Sequence, residues 1–299
     1  MQLEMFDQTR LLLPARGPVN VASVPQRSPF RYPGGKTWLV PQLRNWLKAI
    51  NPKVKHFIEP FAGGGIISLT VAAEKLADHV TMVELDEQVA SVWHSLIISD
   101  DGEWLANKIM EFDINGITGD GLRSFVEQES KTRRDQAFKT ILKNRTYHGG
   151  ILAPGSSPIK NGENGKGMAS RWYAETLRKR ILGIMHSKDS IDFIEGDGLE
   201  VIEKNLDSAE TVFFIDPPYT AAGKKAGRRL YSRFELDHER LFSLAAMVSG
   251  DFLMTYDNAE GVRKLADRFG FDTELVAMKN THHAEMKELL IGRDLSWAR

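Results

Sequence analysis

Short runs of β-branched and aromatic residues alternate along the chain with longer amphipathic stretches. This alternation predicts βαβ units, in which a buried parallel strand is followed by a crossover helix that covers the sheet. A seventh apolar run, residues 286–292, follows the sixth after a short link, which suits an antiparallel hairpin. The sequence therefore predicts an α/β fold with a doubly wound, mostly parallel sheet of seven strands. The six preceding strands are predicted at residues 54–58, 79–84, 190–195, 211–215, 252–256 and 274–278, and crossover helices at 66–76, 87–98 and 238–248.

The alternation breaks between the second and third predicted strands. Residues 147–167 are rich in Gly, Pro, Ser and Asn, and stretches of helical periodicity lie on both sides of them. We therefore predict a mostly helical domain inserted into the sheet domain. The predicted helices of this insertion are residues 104–110, 121–128, 134–143 and 172–185. The predicted organisation is an N-terminal extension (1–27), a first part of the sheet domain (28–100), the inserted domain (101–188) and a second part of the sheet domain (189–299).

Charge is distributed unevenly along the chain. The whole sequence has 39 Lys and Arg against 40 Asp and Glu, a formal net charge of −1. Residues 131–180, however, contain twelve basic and three acidic residues, a local net charge of +9. A solvated helical face is the simplest interpretation of one basic stretch. An excess of this size favours a polyanionic partner, because neutralised phosphates supply much of the affinity in nucleic-acid binding.

The chain contains no cysteine. This excludes disulfide frameworks, thiolate zinc sites and Cys nucleophiles, and with them zinc-dependent base deaminases and cytosine-C5 methyltransferases. Residues 1–26 lack the charge pattern of a secretory signal, and no stretch approaches the ~20 apolar residues of a membrane span. We therefore expect a cytoplasmic protein with no membrane partner.

A glycine-rich turn, residues 59–65 (EPFAGGG), follows the first predicted strand. Without a Cβ, Gly63 and Gly65 let the backbone turn tightly and approach a ligand, and the helix that begins there offers free N–H groups. Glu84 ends the next predicted strand, where a carboxylate can bind both ribose hydroxyls of an adenosine-containing cofactor. Either feature alone is commonly only structural, but the two together predict such a cofactor.

The tetrapeptide Asp216-Pro217-Pro218-Tyr219 directly follows the fourth predicted strand. Two prolines end the strand and hold the Asp216 carboxylate and the Pro217 carbonyl, both acceptors, in a rigid geometry. This pair suits a planar amino group, because holding both N–H protons lets the nitrogen lone pair face an electrophile. Tyr219 offers a flat surface on which a base can stack. Since Glu59 and Asp216 end the first and fourth strands, we expect them to be neighbours at the switch point of the sheet.

A third motif, residues 30–36 (FRYPGGK), imitates a phosphate-binding P-loop at its end. A P-loop requires a glycine five positions before Gly35, where this chain has Phe30, and no predicted strand precedes the motif. The sequence therefore does not predict hydrolysis of nucleoside triphosphates.

In this order, the three motifs resemble those of the Dam-like class of DNA adenine-N6 methyltransferases, which use S-adenosylmethionine. The resemblance extends over residues 30–291. The Asp that opens the tetrapeptide distinguishes the chain from protein-glutamine methyltransferases, which resemble it but carry Asn there. The resemblance implies a Rossmann-like methyltransferase sheet, S-adenosylmethionine as cofactor, no metal, and double-stranded DNA as partner. The basic insertion then corresponds to the target-recognition domain.

The resemblance also implies roles for individual residues. Tyr32 and Lys36 would line the methionine and adenosine pocket, Glu84 would hold the ribose, and Asp197 would contact the adenine of the cofactor. The implied cofactor-binding residues are Tyr32, Gly35, Lys36, Glu59, Phe61, Gly63, Gly65, Glu84, Asp197 and Asp216. The implied catalytic residues are Asp216, Pro217, Pro218 and Tyr219.

Two groups of basic residues are expected to contact DNA. Arg31 and Arg145 are candidates for base edges, because arginine with guanine is the commonest specific pairing, although a solubilising surface charge is nearly as good an interpretation. Residues 144–150 follow the pattern of GATC-methylating relatives only loosely, so the recognition sequence stays open. The loop after the tetrapeptide is expected to face phosphates, with Lys224, Lys225, Arg228, Arg229 and Arg233.

The expected reaction is methylation of N6 on an adenine flipped out of duplex DNA, because a stacked base cannot reach a buried sulfonium. An RNA adenine methyltransferase would need the same catalytic residues. A cytosine-N4 methyltransferase is chemically close, although Ser more often opens its tetrapeptide. A catalytically silent DNA-binding module is a further alternative. We expect a monomer, and a cognate restriction endonuclease is a candidate partner.

Overall fold

The computed structural model describes residue 19 and residues 21–31, 34–50, 53–162, 165–218, 236–279 and 285–299. These residues form one seven-stranded sheet in which β7 is antiparallel to both of its neighbours and the other strands are parallel to one another. The strands are β1 (His56–Glu59), β2 (His79–Glu84), β3 (Ile191–Glu195), β4 (Thr211–Ile215), β5 (Asp251–Asp257), β6 (Asp272–Lys279) and β7 (Glu285–Gly292). Their order across the sheet is β3-β2-β1-β4-β5-β7-β6. The predicted fold class and the predicted antiparallel hairpin are confirmed.

Burial explains why the central strands read as continuous apolar runs. Every residue of β4 is buried, and so are Phe57, Ile58 and Glu59 of β1. Parallel strands covered by helices on both faces have no solvent side, so they lose the alternation of polar and apolar residues. Glu59 is therefore the exception that calls for a chemical explanation.

The helices cover both faces of the sheet, and most begin or end close to where the sequence predicts. The predicted helix 87–98 is an α-helix up to Trp93 and then continues as a π-helical turn, His94–Ile98. The α-helices are α1 (Val40–Ala49), α2 (Ile66–Ala73), α3 (Glu87–Trp93), α4 (Gly102–Glu111), α5 (Gly119–Glu127), α6 (Arg133–Thr146), α7 (Ala174–Met185), α8 (Gly198–Lys204), α9 (His238–Met247) and α10 (Glu260–Arg268). Among the described residues no helix is long and apolar enough to cross a bilayer.

The helices between β2 and β3 share a hydrophobic core with the sheet. Helix α6 packs on α3, and α4 packs on α7. Phe138 of α6 meets Trp172 edge to face with ring centroids 6.4 Å apart, and both belong to the same buried cluster as Val80 of β2. The predicted insertion is thus mostly helical, while its boundaries as a separate domain stay a prediction.

The sheet reverses its direction of winding between β1 and β4. Strand β1 pairs with β2 on one side and with β4 on the other, with Ile58 opposite Phe213. The carboxyl ends of β1 and β4 are therefore adjacent, as expected for the point where ligands bind in such sheets. Glu59 and Asp216 are neighbours in this sense, as the sequence predicts.

A buried asparagine of α6 fixes the segment that precedes Lys36. The Oδ1 atom of Asn144 accepts a hydrogen bond from the backbone N–H of Arg31 at 2.7 Å. Its Nδ2 atom donates to the carbonyls of Arg31 at 3.1 Å and of Gly150 at 2.8 Å. The Asn144 amide is fully buried, so these three bonds satisfy side-chain atoms that have no access to water. We call this arrangement the Asn144 clamp.

Replacing Asn144 tests the clamp. We expect Asn144→Ala to lower the free energy of unfolding by about 3 kcal/mol, because it leaves buried backbone groups unsatisfied. The exposed Asn115 of the same segment provides the control, and Asn115→Ala should change stability by less than about 0.5 kcal/mol. Denaturant unfolding of both variants measures the difference. Equal stabilities would show that the clamp contributes nothing.

Candidate active site

The glycine-rich turn after β1 has the geometry that only glycine adopts easily. Gly65 has a φ of 64°, and a Cβ added there would lie 2.5 Å from Cε of Met82 and 2.9 Å from Cζ2 of Trp93. Gly63 has a φ of 47°, and its carbonyl accepts a hydrogen bond from Nε1 of Trp93 at 2.9 Å. Trp93 therefore packs against the turn at Gly65 and fixes the position of Gly63 by a hydrogen bond.

Glu84, at the end of β2, is bound by the turn itself. Its Oε2 accepts the backbone N–H of Gly63 at 2.8 Å, and its Oε1 accepts that of Asp86 at 2.8 Å. The packed protein atoms around the carboxyl group desolvate it and raise the pKa of Glu84 to about 7. A carboxylate oxygen accepts more than one hydrogen bond, so Glu84 retains capacity for ligand hydroxyls.

Glu59, at the end of β1, lies in the interior. It is only 3% exposed, and its Oε2 accepts the backbone N–H of Ser68 in the first turn of α2 at 3.0 Å. Burial raises the pKa of Glu59 to about 8, and the nearby carboxylates Asp216 and Glu84 add to the rise. Three carboxyl groups from the ends of β1, β2 and β4 are thus close enough to influence one another's charge.

Asp197 lies between β3 and α8, beside the same turn. Its side chain caps α8 by accepting the backbone N–H of Leu199 at 2.8 Å. A Cβ on Gly198 would collide with the backbone of Pro60, so glycine is required for the β3 loop to approach the β1 loop this closely. The carbonyl of Glu84 accepts the backbone N–H of Gly196 at 3.1 Å. This bond joins the loop after β3 to the end of β2.

Asp216 follows β4 and is held by side chains from two distant parts of the chain, Lys36 and Thr255. Its Oδ1 lies 2.9 Å from Nζ of Lys36 and accepts the hydroxyl of Thr255 of β5 at 2.7 Å. The same Nζ lies 3.1 Å from Oε1 of Glu288 of β7 and donates to the carbonyl of Gly34 at 3.0 Å. Burial lowers the pKa of Lys36, but the attraction of Asp216 and Glu288 outweighs it and raises the pKa above its ordinary value.

The surroundings of Asp216 are otherwise closely packed. Pro217 is buried and Pro218 is half-buried, while the Asp216 side chain is 21% exposed. Tyr256 of β5 is fully buried, and its hydroxyl lies 3.0 Å from Nδ1 of His238. Burial raises the pKa of Tyr256, and the charge of Asp216 adds to the effect. Asp216 is thus a partly accessible carboxylate in a rigid wall.

Of the residues predicted to contact DNA, the structure describes only Arg31 and Arg145, and neither is fully exposed. Arg145 is 4% exposed, and its Nε donates to the carbonyl of Arg171 at 3.2 Å. Burial and the neighbouring charges of Arg180 and Arg31 lower the pKa of Arg145 to about 9. Arg31 is half-buried at the Asn144 clamp. Seven predicted site residues lie outside the described residues: Tyr32, Tyr219, Lys224, Lys225, Arg228, Arg229 and Arg233.

The described part of the site fits S-adenosylmethionine. This cofactor carries a sulfonium and an amino group, both positively charged, together with two ribose hydroxyls. Glu84, bound to the glycine turn, suits the hydroxyls, and the carboxylate of Asp216 suits a cationic ligand. Because Gly63 and Gly65 carry no Cβ, the backbone of the turn could approach the cofactor closely.

Sequence reasoning missed three residues of this edge. Thr255 contacts Asp216, and Glu288 contacts Lys36. Both lie on strands late in the chain that carry no recognisable motif. A charged residue directly before the apolar run Leu289-Leu290-Ile291 was the available signal for Glu288. Leu85, directly after Glu84, is a large apolar residue that is 44% exposed, which is typical of a binding surface rather than a core.

Comparisons with known proteins identify relatives over most of the chain. A profile of the D12 class N6 adenine-specific DNA methyltransferases matches residues 32–279. A DNA N-6-adenine-methyltransferase of Escherichia phage P1 is 26% identical over 260 residues, which is 83% of this chain. The chain spans 32% of the length of that relative.

Solved methyltransferase structures resemble the chain only distantly. An rRNA methylase from Streptococcus thermophilus is 10% identical, with 85% of this chain and 94% of that chain covered and a TM-score of 0.36. A precorrin-6y C5,15-methyltransferase from Geobacter metallireducens is 9% identical, with 85% and 86% covered and a TM-score of 0.37. Similarity at this level carries no functional argument.

The raised pKa of Glu59 predicts a pH-dependent stability. The folded protein keeps this proton up to about pH 8, whereas the unfolded chain releases it near the ordinary value of 4.5, so stability falls as pH rises between the two. Gln imitates the neutral carboxyl group. We therefore expect Glu59→Gln to match the wild type at about pH 5 and to be more stable by about 2 to 4 kcal/mol above about pH 8.

Thermal and denaturant unfolding across this pH range measure the difference between the two proteins. Glu111→Gln, an exposed glutamate replaced in the same way, provides the control. A stability difference between Glu59→Gln and wild type that does not change with pH would contradict the prediction.

Proposed function

This chain belongs to the D12 class of N6 adenine-specific DNA methyltransferases, and we propose that it transfers a methyl group from S-adenosylmethionine to N6 of an adenine flipped out of duplex DNA. The observation that carries the proposal is the position of Asp216. This carboxylate follows β4, beside the glycine turn that follows β1, so donor and acceptor sites would adjoin.

The cofactor would be held by the loops at the carboxyl ends of β1, β2 and β3. Glu84 would accept hydrogen bonds from the ribose hydroxyls, and the turn at Gly63 would approach the cofactor through its backbone. Asp197 lies beside that turn and would contact the adenine of the cofactor, while the exposed Leu85 would cover its flat face. Glu59 lies behind the turn, and Lys36 reaches the same edge of the sheet through its contact with Asp216.

The chemical step requires hydrogen-bond acceptors that hold the amino group of the target base. When bound, S-adenosylmethionine supplies a methyl group on a positively charged sulfur, and transfer leaves a neutral thioether while N6 gains the methyl group and releases one proton. Asp216 and the Pro217 carbonyl would accept the two N–H groups, which directs the lone pair of N6 away from the ring. Asp216 would also stabilise the positive charge that develops on N6, so it does not need to be a strong base. We assign the stacking surface for the flipped base to Tyr219.

DNA would be bound by the basic insertion and by the loop that follows the tetrapeptide. The excess of +9 within residues 131–180 suits phosphates, which supply sequence-independent affinity. Arg31 is joined by the Asn144 clamp to the segment before Lys36. DNA contacts near Arg31 would therefore lie next to the catalytic edge.

Transfer of labelled methyl groups tests the substrate class. The protein is incubated with S-adenosylmethionine labelled on its methyl group and with duplex DNA of mixed sequence, and the DNA is digested to nucleosides. We expect label in N6-methyldeoxyadenosine. Label in cytosine, or label only when RNA replaces DNA, would contradict the proposed reaction.

Replacing Asp216 tests its proposed role in methyl transfer. We expect Asp216→Ala and the better-fitting Asp216→Asn to bind S-adenosylmethionine but to lose at least about 100-fold in the single-turnover rate, because stabilisation of the developing charge is lost. The exposed Asp207, as Asp207→Asn, provides the control. Normal turnover by either Asp216 variant would contradict the assignment.

The raised pKa of Glu84 predicts how cofactor binding depends on pH. Only the ionised carboxylate accepts hydrogen bonds from both hydroxyls, and with a pKa of about 7 it is mostly protonated at lower pH. We expect the affinity for S-adenosylmethionine to rise about tenfold between about pH 6 and pH 8. Isothermal titration calorimetry measures it, and Glu84→Gln should bind weakly at both pH values. A dependence that persists in Glu84→Gln would assign the titration to another group.

A further inference from the structure

A buried chain of ion pairs joins β7 to the aspartate that follows β4. The Nζ atom of Lys36 bridges Oδ1 of Asp216, at 2.9 Å, and Oε1 of Glu288, at 3.1 Å. The side chains of Lys36 and Glu288 are 3% and 6% exposed, so water screens these charges little. One ammonium and two carboxylates give this triad a formal net charge of −1.

The ammonium alone would oppose the proposed reaction. A carboxylate next to the reacting atoms stabilises both a sulfonium and the positive charge that develops on N6. Lys36, at 2.9 Å from Asp216, would cancel most of that effect in an interior where charges interact strongly. A buried carboxylate without any cation is itself unfavourable, which explains why a lysine is present.

We infer that Glu288 is a positioning residue that cancels the charge of Lys36, so that this triad presents one net negative charge to a cationic cofactor. Glu288 also holds the ammonium on Oδ1 of Asp216, the oxygen that Thr255 contacts as well. We assign Oδ2 to the amino group of the target base. The inference rests on the proposed function, because it assumes a cofactor with a positively charged sulfur.

The place of Glu288 in the sheet supports this role. Strand β7 lies between β5 and β6, and Glu288 is opposite Asp257 on one side and Val276 on the other. The next residues along β7, Leu289 and Leu290, are buried in the two hydrophobic clusters. A carboxylate in an interior strand is unfavourable unless it is paired, and the surrounding sheet keeps it from moving away from Lys36.

A pair of ligands that differ in one charge tests the inference. S-adenosylmethionine has a charged sulfonium where S-adenosylhomocysteine has a neutral thioether. We expect Glu288→Gln to weaken binding of the methionine compound about tenfold more than binding of the homocysteine compound, as estimated for one unit charge at roughly 10 Å and an effective dielectric constant of about 20. Calorimetric titration of each variant with each ligand, at one pH and ionic strength, gives the ratio of the two Kd values.

Two further variants separate charge from general damage to the pocket. Lys36→Met combined with Glu288→Gln removes one positive and one negative charge, so the ratio should return to the wild-type value even if both affinities fall. Thr255→Val removes a neutral contact to the same oxygen of Asp216, so it should slow methyl transfer and leave the ratio unchanged.

The outcomes distinguish failure of the inference from failure of the proposed function. If Glu288→Gln binds both ligands with the wild-type ratio, or if the double variant does not restore a changed ratio, the inference is wrong. If the wild-type protein binds neither ligand, the proposed cofactor is wrong. Thermal unfolding of each variant, which reports folding independently of ligand, shows that the titrated protein is folded.

Discussion

The pairing of β1 with β4 is the constraint on which the rest of the site depends. Crossover connections carry β2 and β3 to one side of β1 and the later strands to the other, so two strands distant in sequence end side by side. A doubly wound sheet cannot fill the crevice at this reversal with its own helices. Asp216, which follows β4, is therefore partly exposed beside the space that the fold itself leaves open, whereas Glu59 at the end of β1 is buried.

Charge balance is the second constraint, because the ends of neighbouring strands bring carboxyl groups together. The protein meets the resulting repulsion in two different ways. Glu59 is buried and keeps its proton until about pH 8, so it adds little charge at neutral pH. Asp216 instead has Lys36 and Thr255 as partners. Glu59 is thus kept neutral by its proton, whereas the charge of Asp216 is balanced by an ion pair. Asp216 therefore stays a carboxylate that can accept hydrogen bonds.

Much of the fold could be predicted because its signals are local. Buried parallel strands give apolar runs of four to eight residues, and the short link before β7 indicates a hairpin. Gly63, Gly65 and Glu84 could be proposed for the same reason, since each ends or follows a strand within a short motif. Helix ends were less predictable, and the π-helical turn after Trp93 has no signal in the periodicity of its residues.

The contacts around Lys36 could not be predicted from local patterns. Residues 36, 216, 255 and 288 come from four distant parts of the chain, and only the strand order brings Lys36 and Thr255 to one oxygen of Asp216 and Glu288 to the ammonium of Lys36. Arg145 illustrates the opposite difficulty. A basic residue in a basic stretch suggests a surface, yet Arg145 is buried, with its Nε donating to the carbonyl of Arg171 and its guanidinium over the ring of Tyr173.

The Asn144 clamp attaches residues of the insertion to the segment that precedes Lys36, although the two are far apart in the sequence. By strand order, Asn144 and Gly150 belong to the insertion, but hydrogen bonds attach them to the backbone of Arg31, next to the motif that carries Lys36. A chimera that exchanged the complete insertion between relatives would therefore also replace the anchor of the segment that precedes Lys36. Grafts that aim to change the DNA sequence recognised have a more suitable junction after Gly150, where the exchanged segment leaves the anchor in its native host.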